Sequence, residues 1–346
     1  MSSFAGNAII TKAKSLYGKR LRPEDYEELL KFNSVPEIVG YLKKHDKYSN
    51  TLQDVTEYSM HRGQLEDLIK KSYFDNLTRL VKFVSTSDKK FYELDMIRRE
   101  IEIVLSSIRS IISGNIESSI RDLPMFFRQH ASFDIEELSK SLSMKSLMSV
   151  LQGTRYYDLL LPFYTDDPSE IRFTDIEHSL YVKYHEIVLE RINKFYKGKL
   201  HKQLMDIYQS KVEVENVIKI YRLKKFYHAN EMEIMNTLIT KDIRMSDSKL
   251  KELINLKDPD DILDVLSRSE YSVFKSDEDD YIYIEYLAGR IKYNLAKRYM
   301  YFSNYPPIVY AVYLFLNEIE QSNIFNIIEG VRYDIKQEDI KKMLIY

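Results

Sequence analysis

Three copies of one helical pattern recur along this chain, and this repetition limits its fold more than any single residue does. The first half of each copy is a short apolar helix followed by a polar step to a tyrosine, at residues 35–48, 144–156 and 258–271. The second half is a longer helix, at residues 100–109, 213–222 and 319–328. The three tyrosines are 108 and 115 positions apart, a period closer to a small domain than to solenoid repeats of roughly 20–50 residues. The chain is therefore expected to use one helical module three times.

Composition favours helices and excludes several classes of protein. Among 346 residues there are only 9 Gly and 8 Pro, too few for a turn-rich β fold. The 51 Lys and Arg nearly balance the 53 Asp and Glu, so no global field would hold nucleic acid or anionic lipid. The absence of Cys excludes a disulfide scaffold, a thiolate metal site and a cysteine nucleophile.

The chain shows no membrane-spanning or secretory pattern. Its longest apolar run, residues 306–316, falls short of the roughly 20 residues that cross a bilayer. The first residues lack the charged-then-apolar order of a signal peptide. We therefore expect no direct insertion into a membrane.

Helix start and stop signals divide the chain into helices. Pro23 is expected at the first position of a helix, Ser34 and Ser246 as caps, and Gly114 at the end of a long helix. Long helices are predicted at residues 56–84, 88–112, 175–195, 200–227, 281–301 and 308–329. Residues 281–286 alternate briefly like a strand, but the fold is predicted to be all-α. The expected domains are residues 1–130 with the N-terminal helix, 131–243 and 244–346.

Polar residues recur within the long helices of the copies. Glu102 and Arg109 are seven positions apart, on one side of a helix, and Glu215 and Arg222 have the same spacing. We interpret these as inter-helix ion pairs or caps, with a catalytic acid at Glu102 or Glu215 as the alternative.

The third copy of the long helix departs from this spacing. Asn323 matches Asn216, whereas Glu329 stands where Arg222 would be. The polar pattern is therefore only partly repeated.

No motif indicates catalysis or a cofactor. The sequence contains no glycine-rich phosphate loop and no HExxH. His178 and His185 are two turns apart on one helix, a poor spacing for a metal, and are better explained as partly exposed helix residues. The acidic run at residues 277–280 lacks the spacing of a calcium loop and is expected to be a solvated loop. We expect no cofactor, no metal and no enzymatic activity.

Three segments resemble a known family. The opening Asn7-Ala-Ile-Ile-Thr-Lys-Ala-Lys14 is similar to an N-A-R-V-R-A-x-K start, although it lacks the arginines. Residues 213–225, EVENVIKIYRLKK, resemble an E-x-x-N-[LI]-x-x-I-x-R-x-K helix. The closing segment has Asn317 where lysine is frequent in the family. It matches the closing motif of the family at Glu318, Glu320, Asn323, Ile324, Ile327, Gly330 and Arg332. Together they resemble the C subunits of the V/A-type rotary ATPases, the counterparts of the eukaryotic d subunit.

The resemblance implies a fold and a role. The fold would be a funnel of three similar helical domains around a pseudo-threefold axis. The protein would be a non-catalytic central-stalk subunit, peripheral on the cytoplasmic face of the membrane and monomeric within a larger complex. It would couple the shaft subunits D and F to the proteolipid ring for ATP-driven ion transport or ATP synthesis. The alternative is a generic helical-repeat scaffold outside any ATPase.

Overall fold

A computed structural model describes residues 3–81, 89–114, 128, 130–262 and 284–346. Within these ranges the regular structure is entirely helical and contains no strand, which confirms the all-α prediction. In chain order the described helices include α1 (Ser3–Gly18), α2 (Pro23–Leu29), α3 (Val35–Lys44), α4 (Ser49–Leu52), α5 (Arg62–Val81), α6 (Lys89–Tyr92), α7 (Leu94–Ser113), α8 (Ile135–Ser139) and α9 (Met144–Leu151). They are followed by α10 (Arg155–Leu160), α11 (Phe173–Phe195), α12 (Gly198–Tyr227), α13 (Glu231–Met235), α14 (Asp247–Asn255), α15 (Ile284–Phe302), α16 (Pro306–Arg332) and α17 (Gln337–Lys342).

Local sequence signals place several helix ends where they were predicted. Pro23 is the first residue of α2, where its missing N–H has no helical partner to lose. Ser34 precedes α3, and Glu37 in the first turn accepts a 3.1 Å hydrogen bond from the Ser34 backbone N–H. Ser246 caps α14 by accepting from the Lys249 backbone N–H.

Two of the predicted long helices begin later or are divided. The helix predicted at residues 56–84 begins at Arg62, after a short 3₁₀ turn at Glu57–Ser59. The helix predicted at 88–112 is divided into α6 and α7, and Gly114 ends it in the left-handed region at φ 69°.

Three features of the prediction fall wholly or partly outside the described residues. Residues 284–286 of the alternating segment belong to α15, and residues 281–283 are not described. The acidic run at 277–280 and Tyr271 also lie outside the described residues.

The helices form two compact units. One comprises Gly63–Tyr196, and the other comprises Ser2–Arg62 together with Lys197–Tyr346. In the first unit α7 packs against α11 and against the short helices α8 and α9. The apolar face of α7 is almost continuous, with Ile97, Ile101, Val104 and Ile108 buried at helical spacing.

The second unit is built around the hairpin of α15 and α16. α1 packs along α16, and α3 and α17 also contact α16. α12 packs on α15 and carries a second apolar cluster with α13 and α14, centred on Ile220, Leu250 and Leu253. The two ends of the chain thus meet in one unit, because the helices before Arg62 pack on the last long helix.

Candidate functional site: the buried glutamate junctions

Each of the three long helices α7, α12 and α16 carries one buried glutamate near its middle. These are Glu100, Glu213 and Glu320, which are 3%, 0% and 5% exposed. They recur at intervals of 113 and 107 positions, which are the spacings of the helical repeat. A carboxylate without water must be hydrogen-bonded or paired, so the partners of each glutamate define a junction.

The junction in the first unit uses neutral donors. The Ser132 backbone N–H donates to Oε1 of Glu100 at 2.6 Å, and the Tyr156 hydroxyl donates to Oε2 at 2.6 Å. The ring of Phe133 packs edge-on against that of Tyr156, at 5.7 Å between centroids. The carboxylate therefore ties the entry of the short-helix segment and its tyrosine to α7.

The junction on α12 includes a cation. The backbone N–H groups of Arg244 and Met245 donate to Oε1 of Glu213 at 2.7 and 3.0 Å. The guanidinium of Arg244 donates to Oε2 at 2.7 Å and to the Ser210 hydroxyl at 2.8 Å. Arg244 thus bridges two helix positions three residues apart, and it neutralises the buried charge.

The junction on α16 joins the first short-helix segment of the chain to the last long helix, and it is called the closing junction below. The Leu21 backbone N–H donates to Oε2 of Glu320 at 3.1 Å, and the Tyr48 hydroxyl donates to Oε1 at 2.6 Å. The Lys47 ammonium donates to the same Oε1 at 2.7 Å and to Oδ1 of Asn317 at 2.5 Å. Asn317 and Glu320, three positions apart on α16, therefore both accept hydrogen bonds from Lys47. In the same way Ser210 and Glu213 on α12 both accept from Arg244.

The three junctions follow one rule. Each glutamate accepts a backbone N–H two or three residues before a short helix, and these helices are α2, α8 and α14. In two junctions it also accepts a tyrosine hydroxyl at the end of the short-helix segment. In the junctions of α7 and α12 the short helices follow their long helix along the chain. In the junction of α16 the short-helix segment is residues 21–52 at the start of the chain, so the same order holds only if the chain is read on from its last residue to its first. The sequence pattern had placed each short segment before its long helix.

Comparison with known proteins identifies the family. The sequence model of the family described as "ATP synthase (C/AC39) subunit" matches residues 9–343. The chain belongs to this family. It is 23% identical over 345 residues to the C subunit of the A-type ATP synthase of Methanosarcina mazei, covering 97% of this chain and 91% of the relative. It is 22% identical over 344 residues to the protein of the same name from Methanosarcina barkeri, with the same coverage. The resemblance drawn from the sequence motifs is thereby confirmed.

The motifs that carry the family resemblance contain two of the three buried glutamates. Glu213 begins the E-x-x-N motif on α12, and Glu320 lies in the closing segment on α16. Glu100 was not predicted from the sequence to be their counterpart. The signal that could have identified Glu100 is its recurrence at the spacings of 113 and 107 positions. Starting from Glu100, these spacings lead to Glu213 and Glu320, three glutamates. Starting from Glu102, they lead to Glu215 and then to Ser322.

Asn216 and Asn323 have the same role three residues after their glutamates. Asn216 donates to the Ile239 carbonyl at 2.7 Å and accepts from the Ile239 backbone N–H at 3.1 Å. Asn323 does the same with Ile345, at 2.7 and 2.9 Å. A side-chain amide thus satisfies both polar groups of a buried backbone residue, which explains why this residue type recurs. Ile103 occupies this position in α7.

The charged positions selected from the sequence lie toward the helix surface. The Glu102 side chain is 38% exposed and pairs with Arg99 at 2.7 Å, within its own helix. The Glu215 side chain is 44% exposed and pairs with Lys292 of α15 at 3.5 Å. Neither carboxylate takes part in a junction.

The two predicted arginines are also exposed. The guanidinium of Arg109 lies 5.5 Å from the centroid of the Phe173 ring. Arg222 lies on the exposed side of α12. The structure therefore places Glu102 and Arg109 apart from the buried contacts of α7.

The tyrosines of the junctions are held as hydrogen-bond donors. Burial raises the pKa of Tyr48 and Tyr156 well above the ordinary value, and the negative charges of Glu320 and Glu100 raise it further. Both hydroxyls therefore stay protonated at neutral pH. A protonated hydroxyl can donate to a carboxylate, so burial and the hydrogen bond reinforce each other.

Two other kinds of site do not occur within the described residues. No group of three or more His, Asp or Glu side chains in these ranges is arranged to hold a metal ion. No helix in them is long and apolar enough to cross a membrane.

Proposed function

We propose that this chain is a non-catalytic central-stalk subunit of a V/A-type rotary ATPase. In this role it is a socket that couples the central shaft, made of subunits D and F, to the proteolipid ring of the membrane. It lies peripherally on the cytoplasmic side, as a monomer within the complex, and contributes to ATP-driven ion transport or ATP synthesis. The observation that carries the proposal is the family match over residues 9–343.

The junctions support a mechanical role over a chemical one. All three buried glutamates are occupied by hydrogen bonds from the chain itself, so none is left to act as an acid or base toward a substrate. Each junction fastens a long helix to a short-helix segment through a desolvated charged group. Such contacts, together with close-packed helix faces, resist deformation, which is what a part that transmits torque requires.

The proposal includes the predicted arrangement of domains. The three similar helical domains at residues 1–130, 131–243 and 244–346 would form a funnel about a pseudo-threefold axis. The repeated junctions support the internal similarity, since a glutamate, a backbone N–H donor and a short-helix segment recur on all three long helices, and each junction joins two of these ranges. A cavity of such a funnel would receive the foot of the shaft.

A binding experiment tests the partners. The purified chain is expected to co-purify with the detergent-solubilised proteolipid ring and to bind the purified D–F heterodimer. Because a reversible socket favours polar and charged contacts, shaft binding should weaken at high salt. A chain that binds neither partner would favour the scaffold alternative. Shaft affinity that does not change with salt would contradict the charged interface.

Reconstitution tests the function itself. A rotary complex assembled without the chain should still hydrolyse ATP in its catalytic part but should lose ATP-driven ion transport. Adding back the purified chain should restore the coupling. Transport that persists at full rate without the chain would overturn the proposal.

A further inference from the structure

A small cavity lies beside the closing junction, the one around Glu320 of α16. Its volume is about 20 Å³. Its lining includes Tyr17 of α1, Lys47 at the end of the short-helix segment, and Tyr313, Asn317 and Glu320 of α16. The cavity therefore lies within a single compact unit, next to buried polar groups.

One of these polar groups has an unused donor. Asn317 is 4% exposed, and its Oδ1 accepts from the Lys47 ammonium. Since an ammonium can only donate, this contact fixes which end of the amide is the oxygen. Nδ2 of Asn317 is buried and has no hydrogen-bond partner among the described residues. A buried N–H without an acceptor is costly, so an acceptor is expected in the cavity that Asn317 lines.

We propose that this cavity binds one internal water molecule, which accepts a hydrogen bond from Nδ2 of Asn317. A buried water needs roughly 10–15 Å³ and two to four polar partners, so the volume suits one molecule and not two. Tyr17 and Tyr313 line the same cavity, and a tyrosine hydroxyl oxygen can accept a hydrogen bond from a water. The water would complete the hydrogen bonding of the closing junction.

Electrostatics favours a neutral water over an anion. The Glu320 carboxylate lines the cavity, and Lys47 is already paired with it at 2.7 Å. An anion such as chloride would be repelled by this carboxylate. Of the two cations that line the cavity, Lys47 is paired with Glu320, and Arg20 donates to the Tyr17 carbonyl and the Tyr301 hydroxyl. A neutral molecule that both accepts and donates avoids this repulsion.

A crystal structure of the wild-type chain, at a resolution that shows ordered water, tests the site directly. One density peak is expected within hydrogen-bonding distance of Nδ2 of Asn317. An empty cavity would overturn the proposal. A bromide soak that places an anomalous peak in the cavity would also overturn it, because the site would then take an anion.

Magnetic relaxation dispersion of oxygen-17 tests the water in solution, since it counts water molecules with long residence times. Asn317→Leu removes the donor and fills the space, and it should remove one long-lived water relative to wild type. Asn326→Leu is the matched control, because Asn326 lies on the same helix but does not line the cavity. An unchanged count in a folded Asn317→Leu chain would refute the site, and the wild-type crystal structure decides independently of how that variant folds.

Discussion

The Tyr48 hydroxyl donates a 2.6 Å hydrogen bond to the carboxylate of Glu320, although 272 positions separate the two residues. This contact joins the first short-helix segment to the last long helix. Tyr156 and Glu100 make the same contact at 2.6 Å across only 56 positions. The chain therefore forms the same junction once within one half and once between its two ends.

Removing the Tyr48 hydroxyl should weaken the closing junction. Tyr48→Phe leaves Glu320 with Lys47 and one backbone N–H, and the loss of a hydrogen bond to a buried charged group should lower the free energy of unfolding by about 1–3 kcal/mol. Urea unfolding followed by circular dichroism measures the change. Tyr58→Phe is the control, since Tyr58 is 91% exposed and its variant should stay within about 0.5 kcal/mol of wild type. Equal effects of the two substitutions would show that the hydrogen bond from the Tyr48 hydroxyl does not stabilise the fold.

Two glutamates on α12 should respond very differently to the same substitution. Glu213→Gln removes the charge that pairs with Arg244 at 2.7 Å and should cost about 3 kcal/mol, as breaking buried ion pairs does. Glu215→Gln disrupts only a surface pair with Lys292 and should cost about 0–1 kcal/mol. Chemical denaturation of both variants gives the comparison. If Glu215→Gln were the more damaging change, the buried register would be assigned to the wrong residues.

The buried tyrosines should make the chain sensitive to alkali. The pKa of Tyr156 is raised in the folded chain above its ordinary value of 10.0, first by burial and then by Glu100. The folded state then holds the proton more tightly than the unfolded state, so this stabilisation is complete below about pH 10 and is lost as pH rises above it. Unfolding free energies at about pH 9 and about pH 11 should differ less for Tyr156→Phe than for wild type. Tyr58→Phe, the exposed control, should lose as much stability as wild type over this interval.

Gly330 should not tolerate a side chain. It lies on α16 where the Ile340 side chain of α17 approaches so closely that an added Cβ would collide with it. Gly330→Ala should therefore destabilise the fold by about 1–3 kcal/mol through overpacking. Apart from the neighbouring backbone of α5 itself, no atom of the described residues lies within 4 Å of a Cβ added at Gly63, and Gly63→Ala should be neutral or gain up to about 1 kcal/mol. The thermal unfolding midpoint of Gly330→Ala should fall below that of wild type. The midpoint of Gly63→Ala should stay unchanged or rise.

Helix content and several helix ends could be predicted because they depend on neighbouring residues. Pro23 starts a helix through its own fixed φ, Ser246 caps one through a nearby N–H, and Gly114 ends one through its left-handed backbone. The recurrence of Asn216 and Asn323 was also visible in the sequence. The extended start of the helix predicted at 56–84 was wrong, since α5 begins only at Arg62.

The sequence by itself determined an all-α chain and the family to which it belongs, because helical periodicity, caps and motifs depend on residues close to one another along the chain. The tertiary structure decided which polar residues matter. Burial separates Glu213 from Glu215, only two positions away, and it depends on which face of α12 the other helices cover. It also decided that residues 21–52 pack on α16, because a contact across 272 positions is fixed by the free energy of packing the whole unit and leaves no local signal.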